Sequence, residues 1–200
     1  LGDAIEADTL YVLPQGHDGC ALALTLDTDT VFEDVTPRIA DVTGDAQEDI
    51  ITIESDAQAG AALAIYSIKN NQLIRVAATP FIGTRYRWLA PIGTADFNRD
   101  NIADVAYVER PHLAGVLMIW SFAGEQPVLL ASQPGFSNHR IGENYNTGGI
   151  ATCGDTPQII IPDRRWQQTM AITLKNDQLA AAAVAPDISP ATIDKYLACR

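Results

Sequence analysis

The sequence is poor in positive charge and has no long apolar run. It has 13 Lys and Arg against 25 Asp and Glu in 200 residues, a formal net charge of −12. Such a charge repels nucleic-acid phosphates and anionic membrane surfaces, and it suits divalent cations or basic partners. One of the longest apolar runs, 179–185, falls far short of the roughly 20 residues that a membrane-spanning helix needs. We therefore expect neither a nucleic-acid partner nor a membrane span.

Cysteine is also scarce. Cys20, Cys153 and Cys199 form no CxxC pair and no Cys/His pattern with the ligand spacing of a zinc site. The simplest expectation is that they are buried or free thiols. The alternative is a disulfide between Cys153 and Cys199, which would tie down the C-terminal tail and suit an oxidising compartment.

Motifs of common enzyme classes are missing as well. The sequence has no Gly-x-Ser-x-Gly, no phosphate-binding glycine loop and no His-Glu-x-x-His. Of the histidines His17, His112 and His139, only His139 has neighbours that could make it a general base. We therefore expect a binding protein rather than an enzyme.

What the sequence does contain is a repeat. The segment 41–49 precedes the apolar run 50–53, and the segment 96–104 precedes 105–108; the ends of the two segments share one offset (96 − 41 = 104 − 49 = 55). The similarity continues from 63–68 to 117–122. Agreement over this length indicates two copies of one structural unit.

Two further copies are less regular. A degenerate one covers 148–179, and an incomplete one stands at the front, where 9–13 and 20–26 are predicted to be middle strands and 30–32 the outer strand. The units are 1–35, 36–80, 85–133 and 146–186, followed by a tail, 187–200.

Short β-type runs separated by Gly, Pro, Asn and Asp are typical of propeller blades. We predict an all-β single domain, a β-propeller of about four four-stranded antiparallel blades, which either closes as it stands, closes with a strand from another segment, or belongs to a larger ring. In the tail, Ser189 can cap a short C-terminal helix and Pro190 can occupy its first turn.

The turns of the repeat are rich in side-chain oxygen. In 96–104, oxygen-bearing side chains fall at positions 1, 3, 5 and 9, and position 7 can offer its backbone carbonyl. Hard cations such as Ca²⁺ take six to eight oxygen ligands, which such a loop can largely provide. The candidate metal ligands here are Asp96, Asn98, Asp100, Ile102 and Asp104.

The other copy has a hydroxyl at position 3 and should bind the ion more weakly. Its candidate ligands are Asp41, Thr43, Asp45, Gln47 and Asp49. An EF-hand is not expected, because neither copy has Gly at position 6 or Glu at position 12. The alternative is that these residues only shape exposed turns, as Asp and Asn often do.

Carboxylate turns that open a strand within a propeller blade resemble the FG-GAP/VCBS repeats of integrin α-subunits and bacterial surface proteins. The resemblance covers about 36–184 and implies Ca²⁺ in the turn between the innermost and second strands. It departs from the family pattern in three respects: both turns lack the usual glycine, the FG-GAP tripeptides are poorly kept, and the last copy retains only Asp155.

This resemblance implies a monomeric, extracytoplasmic module, periplasmic or secreted, that recognises a protein or a carbohydrate ligand. The chain opens at Leu1 rather than Met, from which we expect a removed upstream segment. Two alternatives remain open: a propeller lyase or hydrolase with a site near His139 and Tyr145, and a purely structural repeat domain of a larger surface protein.

Two segments before inner strands are rich in cationic and aromatic residues. Blade-entry segments of a propeller converge on one rim, so Arg87, Trp88, His139, Arg140 and Tyr145 are candidates for a shared pocket that suits an anionic or sugar ligand. The alternative is that the arginines pair with carboxylates and the aromatics pack between blades. A third segment, 164–166, is expected to be a solvated turn with Trp166 packed inward.

Overall fold

The computed structural model describes residues 6–15 and 19–199. Expectations that concern 1–5, Arg200 or Gly16, His17 and Asp18 lie outside the described residues. The chain divides into two compact units, unit 1 (1–41 with 46–88) and unit 2 (42–45 with 89–200). The described residues form four antiparallel sheets and one short C-terminal helix, which confirms the all-β class. No helix in this part of the chain is long and apolar enough to cross a membrane.

Unit 1 contains a two-stranded and a five-stranded sheet. Its strands are β1 (Thr9–Val12), β2 (Leu22–Thr25), β3 (Thr30–Phe32), β4 (Arg38–Ala40), β5 (Asp49–Asp56), β6 (Gly60–Lys69) and β7 (Gln72–Ala78). β1 pairs with β2, and β5 to β7 form a meander.

The prediction for 30–32 is wrong. Instead of forming the outer strand of the first unit, β3 pairs with residues 54–56 of β5, while β4 pairs with residues 49–51 on the same strand. β4 is only three residues long and leaves the second half of the β5 edge free. β3 satisfies the backbone groups there, so one edge is completed by two short strands.

Unit 2 contains two four-stranded sheets in the order expected for blades, β11-β10-β9-β8 and β12-β13-β14-β15. The strands are β8 (Leu89–Ala95), β9 (Asp104–Glu109), β10 (Val116–Ser121), β11 (Val128–Pro134), β12 (Gly149–Ala151), β13 (Gln158–Pro162), β14 (Thr169–Lys175) and β15 (Gln178–Ala185). Both sheets contribute to one apolar core, in which Phe97, Leu117 and Ile119 lie with Ile159 and Ile172.

The repeat seen in the sequence extends to a detail of the sheets. The pairing of β6 with β7 shifts register between Ile65 and Tyr66, and that of β10 with β11 shifts between Ile119 and Trp120. These positions correspond in the repeat (119 − 65 = 120 − 66 = 54). A β-bulge of this kind bends a strand and increases its twist, so both sheets have such a bend at the same place in the repeat.

The helix α1 (Pro190–Leu197) begins as predicted, with Ser189 as N-cap accepting the Thr192 amide and Pro190 in the first turn. Ile193 is buried in a cluster with Ala151 and Ile160. A disulfide joins Cys153 to Cys199, with Cα atoms 5.6 Å apart, so the expectation of buried or free thiols is wrong for this pair. Cys20 is exposed and free.

The disulfide closes a long loop, which restricts the unfolded chain. Cys199→Ser should lower the free energy of unfolding by about 2–4 kcal/mol, measured by urea denaturation under non-reducing conditions. Cys20→Ser is the matched control and should leave the curve unchanged. Equal curves for Cys199→Ser and the wild type would contradict the stabilising role.

Unit 1 also buries a charged group. The Glu54 side chain is almost inaccessible; it accepts a hydrogen bond from the Tyr66 hydroxyl, and Arg75 Nε lies 3.1 Å from its Oε1. Tyr66 is itself fully buried, and burial raises the pKa of its hydroxyl far above the usual value, assisted by the Glu54 hydrogen bond and charge. The hydroxyl therefore stays a donor to the carboxylate, which a buried charge requires.

Tyr66→Phe should lower the free energy of unfolding by about 1–3 kcal/mol, because Glu54 loses a donor in a buried site. Tyr196→Phe is the comparison, since that hydroxyl donates to the neutral Val184 carbonyl at 2.6 Å. Its loss should cost nearer 1 kcal/mol. Thermal melts of both variants measure the difference, and a smaller loss for Tyr66→Phe than for Tyr196→Phe would contradict this role of the charge.

Candidate functional site

Both Asp-rich turns connect the first and second strands of a sheet. Residues 41–48 join β4 to β5, where Ala40 lies opposite Asp49, and residues 96–103 join β8 to β9, where Ala95 lies opposite Asp104. The sheet of β12 to β15 has a shorter turn, 152–157, at the corresponding place between β12 and β13. The nine-residue segments are thus local turns at equivalent places in their sheets.

The two turns also share a backbone conformation. Gly44 and Arg99 have φ of 76° and 67°, and Ala46 and Asn101 have φ of 63° and 70°. The second pair is position 6, where the resembled family has glycine. At position 6 Asn tolerates the left-handed conformation better than Ala, whereas at position 4 Gly44 adopts it at no steric cost and Arg99 does not.

The predicted ligands at the front of each turn bind backbone amides. Asp96 accepts the amide of Asp100 at 3.0 Å and that of Asn101 at 2.9 Å. Asp41 accepts the amide of Ala46 at 2.9 Å, the equivalent bond in the first turn. These bonds hold both turns in their left-handed form, which matches the turn-shaping alternative.

The other predicted ligands of the second turn interact with one another. Asn98 Oδ1 accepts the Asp100 amide at 3.0 Å, and its Nδ2 donates to Asp100 Oδ2 at 2.8 Å. Asp100 Oδ1 accepts the amide of Ile102 at 2.8 Å. The first turn exposes Asp45 and Gln47, and Thr43 is half-buried.

The last Asp of each turn is fully buried, unlike the others. Asp104 Oδ2 accepts the amides of Phe97 and Asn98 at 3.0 and 3.3 Å, and the Ser121 side chain forms a further hydrogen bond with this carboxyl group. Asp49 accepts a hydrogen bond from the Ser67 hydroxyl. Burial raises the pKa of Asp104 to about 6, although the backbone amides act in the opposite direction.

This donor set is chemically suited to a hard cation, since every candidate ligand offers oxygen. Among the described residues, however, no three His, Cys, Asp or Glu side chains are grouped as a metal site. Calcium in these turns therefore stays a prediction.

The proposed ligand-binding residues fall in both units. Within unit 1, Trp88 is buried and its Nε1 donates to the Glu33 carbonyl at 2.6 Å, while Arg87 donates to the Tyr86 carbonyl at 2.8 Å. Within unit 2, His139 and Arg140 line one recess, and Tyr145 is exposed and is not among its lining residues.

The recess of unit 2 has a volume of about 330 Å³. His139 and Arg140 reach it from the segment between β11 and β12, His112 from the turn after β9, and Arg164 and Trp166 from the turn after β13. The Arg140 guanidinium lies 4.1 Å from the centroid of the Trp166 ring, a cation–π contact that fixes both side chains.

The two histidines form a hydrogen-bonded pair. His139 Nε2 lies 2.9 Å from the Glu143 carbonyl, and its Nδ1 lies 3.3 Å from His112 Nε2. A carbonyl only accepts, so His139 carries its proton on Nε2, and neutral His112 donates to its Nδ1. Both ring nitrogens of His139 are engaged, which does not suit the general-base role considered for it.

Sequence reasoning missed part of this recess. His112 lies 27 residues before His139 and has no local pattern that indicates binding. Arg164 and Trp166 were expected to form a solvated turn, and Trp166 is only half-buried. The concentration of Arg and Trp there was the one available signal.

Comparison of the sequence with models of known protein families gave no match, and no curated protein matched it either.

The histidine pair predicts a pH effect on stability. Burial lowers the pKa of His112 below its ordinary value of 6.5, and the electrostatic interaction with the neighbouring His139 adds to this. The unfolded chain therefore binds the proton at a higher pH than the folded chain. The contribution of His112 to the free energy of unfolding is fully present above about pH 6.5, and it is lost as the pH falls through the pKa of His112 in the folded chain.

His112→Gln should weaken this decline, because Gln can donate to His139 Nδ1 but does not titrate. The measurement is the melting temperature of both proteins between about pH 8 and pH 5. Parallel profiles over that range would contradict a depressed His112 pKa.

Proposed function

We propose that this chain is a calcium-binding recognition module of FG-GAP/VCBS type, a β-propeller that acts outside the cytoplasm on a carbohydrate or protein ligand. The single observation that carries the proposal is the repeated turn. Two segments with the same spacing of side-chain oxygens connect equivalent strands and share both left-handed positions, at Gly44 and Arg99 and at Ala46 and Asn101.

A purely mechanical turn does not need so many carboxylates. Asp96 and Asp100 each accept backbone amides, and each carboxylate has lone pairs beyond those bonds. Asp96, Asp100 and Asp104 lie within nine residues, and their mutual repulsion at neutral pH opposes folding. A divalent cation would convert that repulsion into attraction and stabilise the folded turn.

Calcium suits these turns better than magnesium. A nine-residue loop with carboxylate, amide, hydroxyl and carbonyl oxygens can satisfy an irregular shell of six to eight ligands. Magnesium requires a nearly ideal octahedron and usually keeps several waters. The ion would brace the start of β5 or β9 rather than take part in chemistry.

The hydrogen bonds of His139, the most plausible general base, favour recognition over catalysis. His139 is buried, and both of its ring nitrogens are hydrogen-bonded, to the Glu143 carbonyl and to His112. Tyr145, the other residue considered for catalysis, is not among the lining residues of the recess that contains His139. The recess instead presents arginine and tryptophan, which are common in binding sites.

The calcium proposal is tested by thermal melts with calcium and with a chelator. At about a hundredfold excess over Kd, one bound ion adds about 2.7 kcal/mol to the free energy of unfolding. For a chain of this size that corresponds to a rise of several degrees in the melting temperature. Asp45→Ala with Asp100→Ala should abolish the difference between the two conditions.

Asp56→Ala is the matched control. Asp56 also shapes a turn, by accepting the amides of Gln58 and Ala59 at 2.8 and 2.6 Å, but it belongs to neither predicted calcium turn. Its loss should lower the melting temperature equally with and without calcium. If the wild-type protein melted at the same temperature with calcium and with a chelator, the Asp-rich turns would be ordinary loops that bind no calcium.

A further inference from the structure

We propose that the recess formed by His112, His139, Arg140, Arg164 and Trp166 binds the carboxylate of an acidic sugar, most tightly in mildly acidic solution. This inference rests on the recognition role proposed above and gives that role a ligand class. It does not depend on calcium, because none of these residues belongs to the Asp-rich turns.

The first argument is the concentration of unpaired positive charge. Among the described residues, neither Arg140 nor Arg164 forms an ion pair with a carboxylate. Acidic side chains outnumber basic ones by 25 to 13 in the whole chain, so partners for surface arginines are plentiful. Two arginines that line one recess without such partners favour an anionic ligand.

The second argument is the form of the arginine site. The contact with Trp166 orients the Arg140 guanidinium, and a guanidinium held in place can donate two parallel hydrogen bonds to a carboxylate. Such a pairing is geometric as well as electrostatic, and it favours a carboxylate or another oxyanion over a spherical anion.

The third argument is the histidine pair. In the neutral pair the proton between the rings belongs to His112, so His139 Nδ1 is the acceptor. A proton added to His112 gives the pair one positive charge. An anion in the recess stabilises the protonated pair, and by linkage acid strengthens binding of the anion.

The charged groups around the histidine pair do not reverse the expectation that acid strengthens binding of the anion. On the three segments that form the recess they are Glu109 and Arg110, which pair with each other, then Arg140 and Glu143, and finally Asp163, Arg164 and Arg165. Asp163 is engaged by three backbone amides of its own turn, those of Arg165, Gln167 and Gln168. The segments therefore carry more cations than acids.

The fourth argument concerns the size and lining of the recess. A volume of about 330 Å³ is at the lower end of the range for small-molecule pockets, which suits one sugar ring. Trp166 and the exposed Ile141 add an apolar wall to the cationic one. A hexuronate has a carboxylate for the arginines and a carbon face for the apolar wall.

The test is calorimetric titration of the whole chain with methyl glucuronide at about pH 5 and about pH 7.5, on either side of the histidine range. We expect binding at both pH values, several-fold tighter in acid. Methyl glucoside, which lacks the carboxylate, should not bind, and inorganic sulfate should bind at least tenfold more weakly than the glucuronide.

Variants locate the site. Arg140→Ala should weaken glucuronide binding about tenfold or more, because it removes charge-assisted hydrogen bonds. Arg165→Ala is the matched control, an exposed arginine of the 163–168 turn that is not among the recess-lining residues, and it should bind like the wild type. His112→Gln should retain binding but flatten its pH dependence.

Several outcomes would overturn the proposal: no binding of glucuronide, equal binding of the glucoside or of sulfate, or unchanged affinity in Arg140→Ala. The calcium response, measured on the same samples, separates this inference from the proposed function. Calcium-dependent melting without glucuronide binding would reject the ligand class alone. Glucuronide binding without a calcium response would reject the calcium-binding turns alone.

Discussion

Asp49 and Asp104 place a buried carboxyl group at the first residue of the second strand of a sheet, and much of the repeat is arranged around that group. Burial of such a group costs free energy unless hydrogen bonds compensate. The second turn provides two backbone amides for Asp104, and β6 provides the Ser67 hydroxyl for Asp49. The second turn is therefore coupled to β9 through Asp104, and Asp49 couples the start of β5 to β6.

Some features of the fold could be predicted from sequence because they are local. The turns, the strands after them and the capped helix at Ser189 each depend on residues within a few positions of one another, and such patterns are visible in one chain. The placement of β3 is different. It depends on β4 being too short to cover the whole edge of β5, and no pattern within 30–32 carries that information.

The candidate site likewise has features that sequence could identify and contacts that it could not. Sequence could identify Arg140 and His139 as unusual in an acidic chain, but it could not pair His139 with His112 or bring Trp166 beside Arg140, because those contacts join three separate loops. Trp88, which the sequence also proposed, is buried in unit 1 and donates to the Glu33 carbonyl. Residue type indicated chemistry here, and only the fold decided which residues share a site.

Cys153 distinguishes the sheet of β12 to β15 from the two sheets that contain the Asp-rich turns. It lies in the 152–157 turn, where the other two repeats have their clustered carboxylates, and it is bonded to Cys199 beyond α1. A covalent crosslink thus stands where the earlier copies offer oxygen ligands. If the first two turns bind calcium, they and the 152–157 turn depend on different solution conditions. A low concentration of divalent ions would destabilise the first two turns, whereas the 152–157 turn would be released only by a reductant.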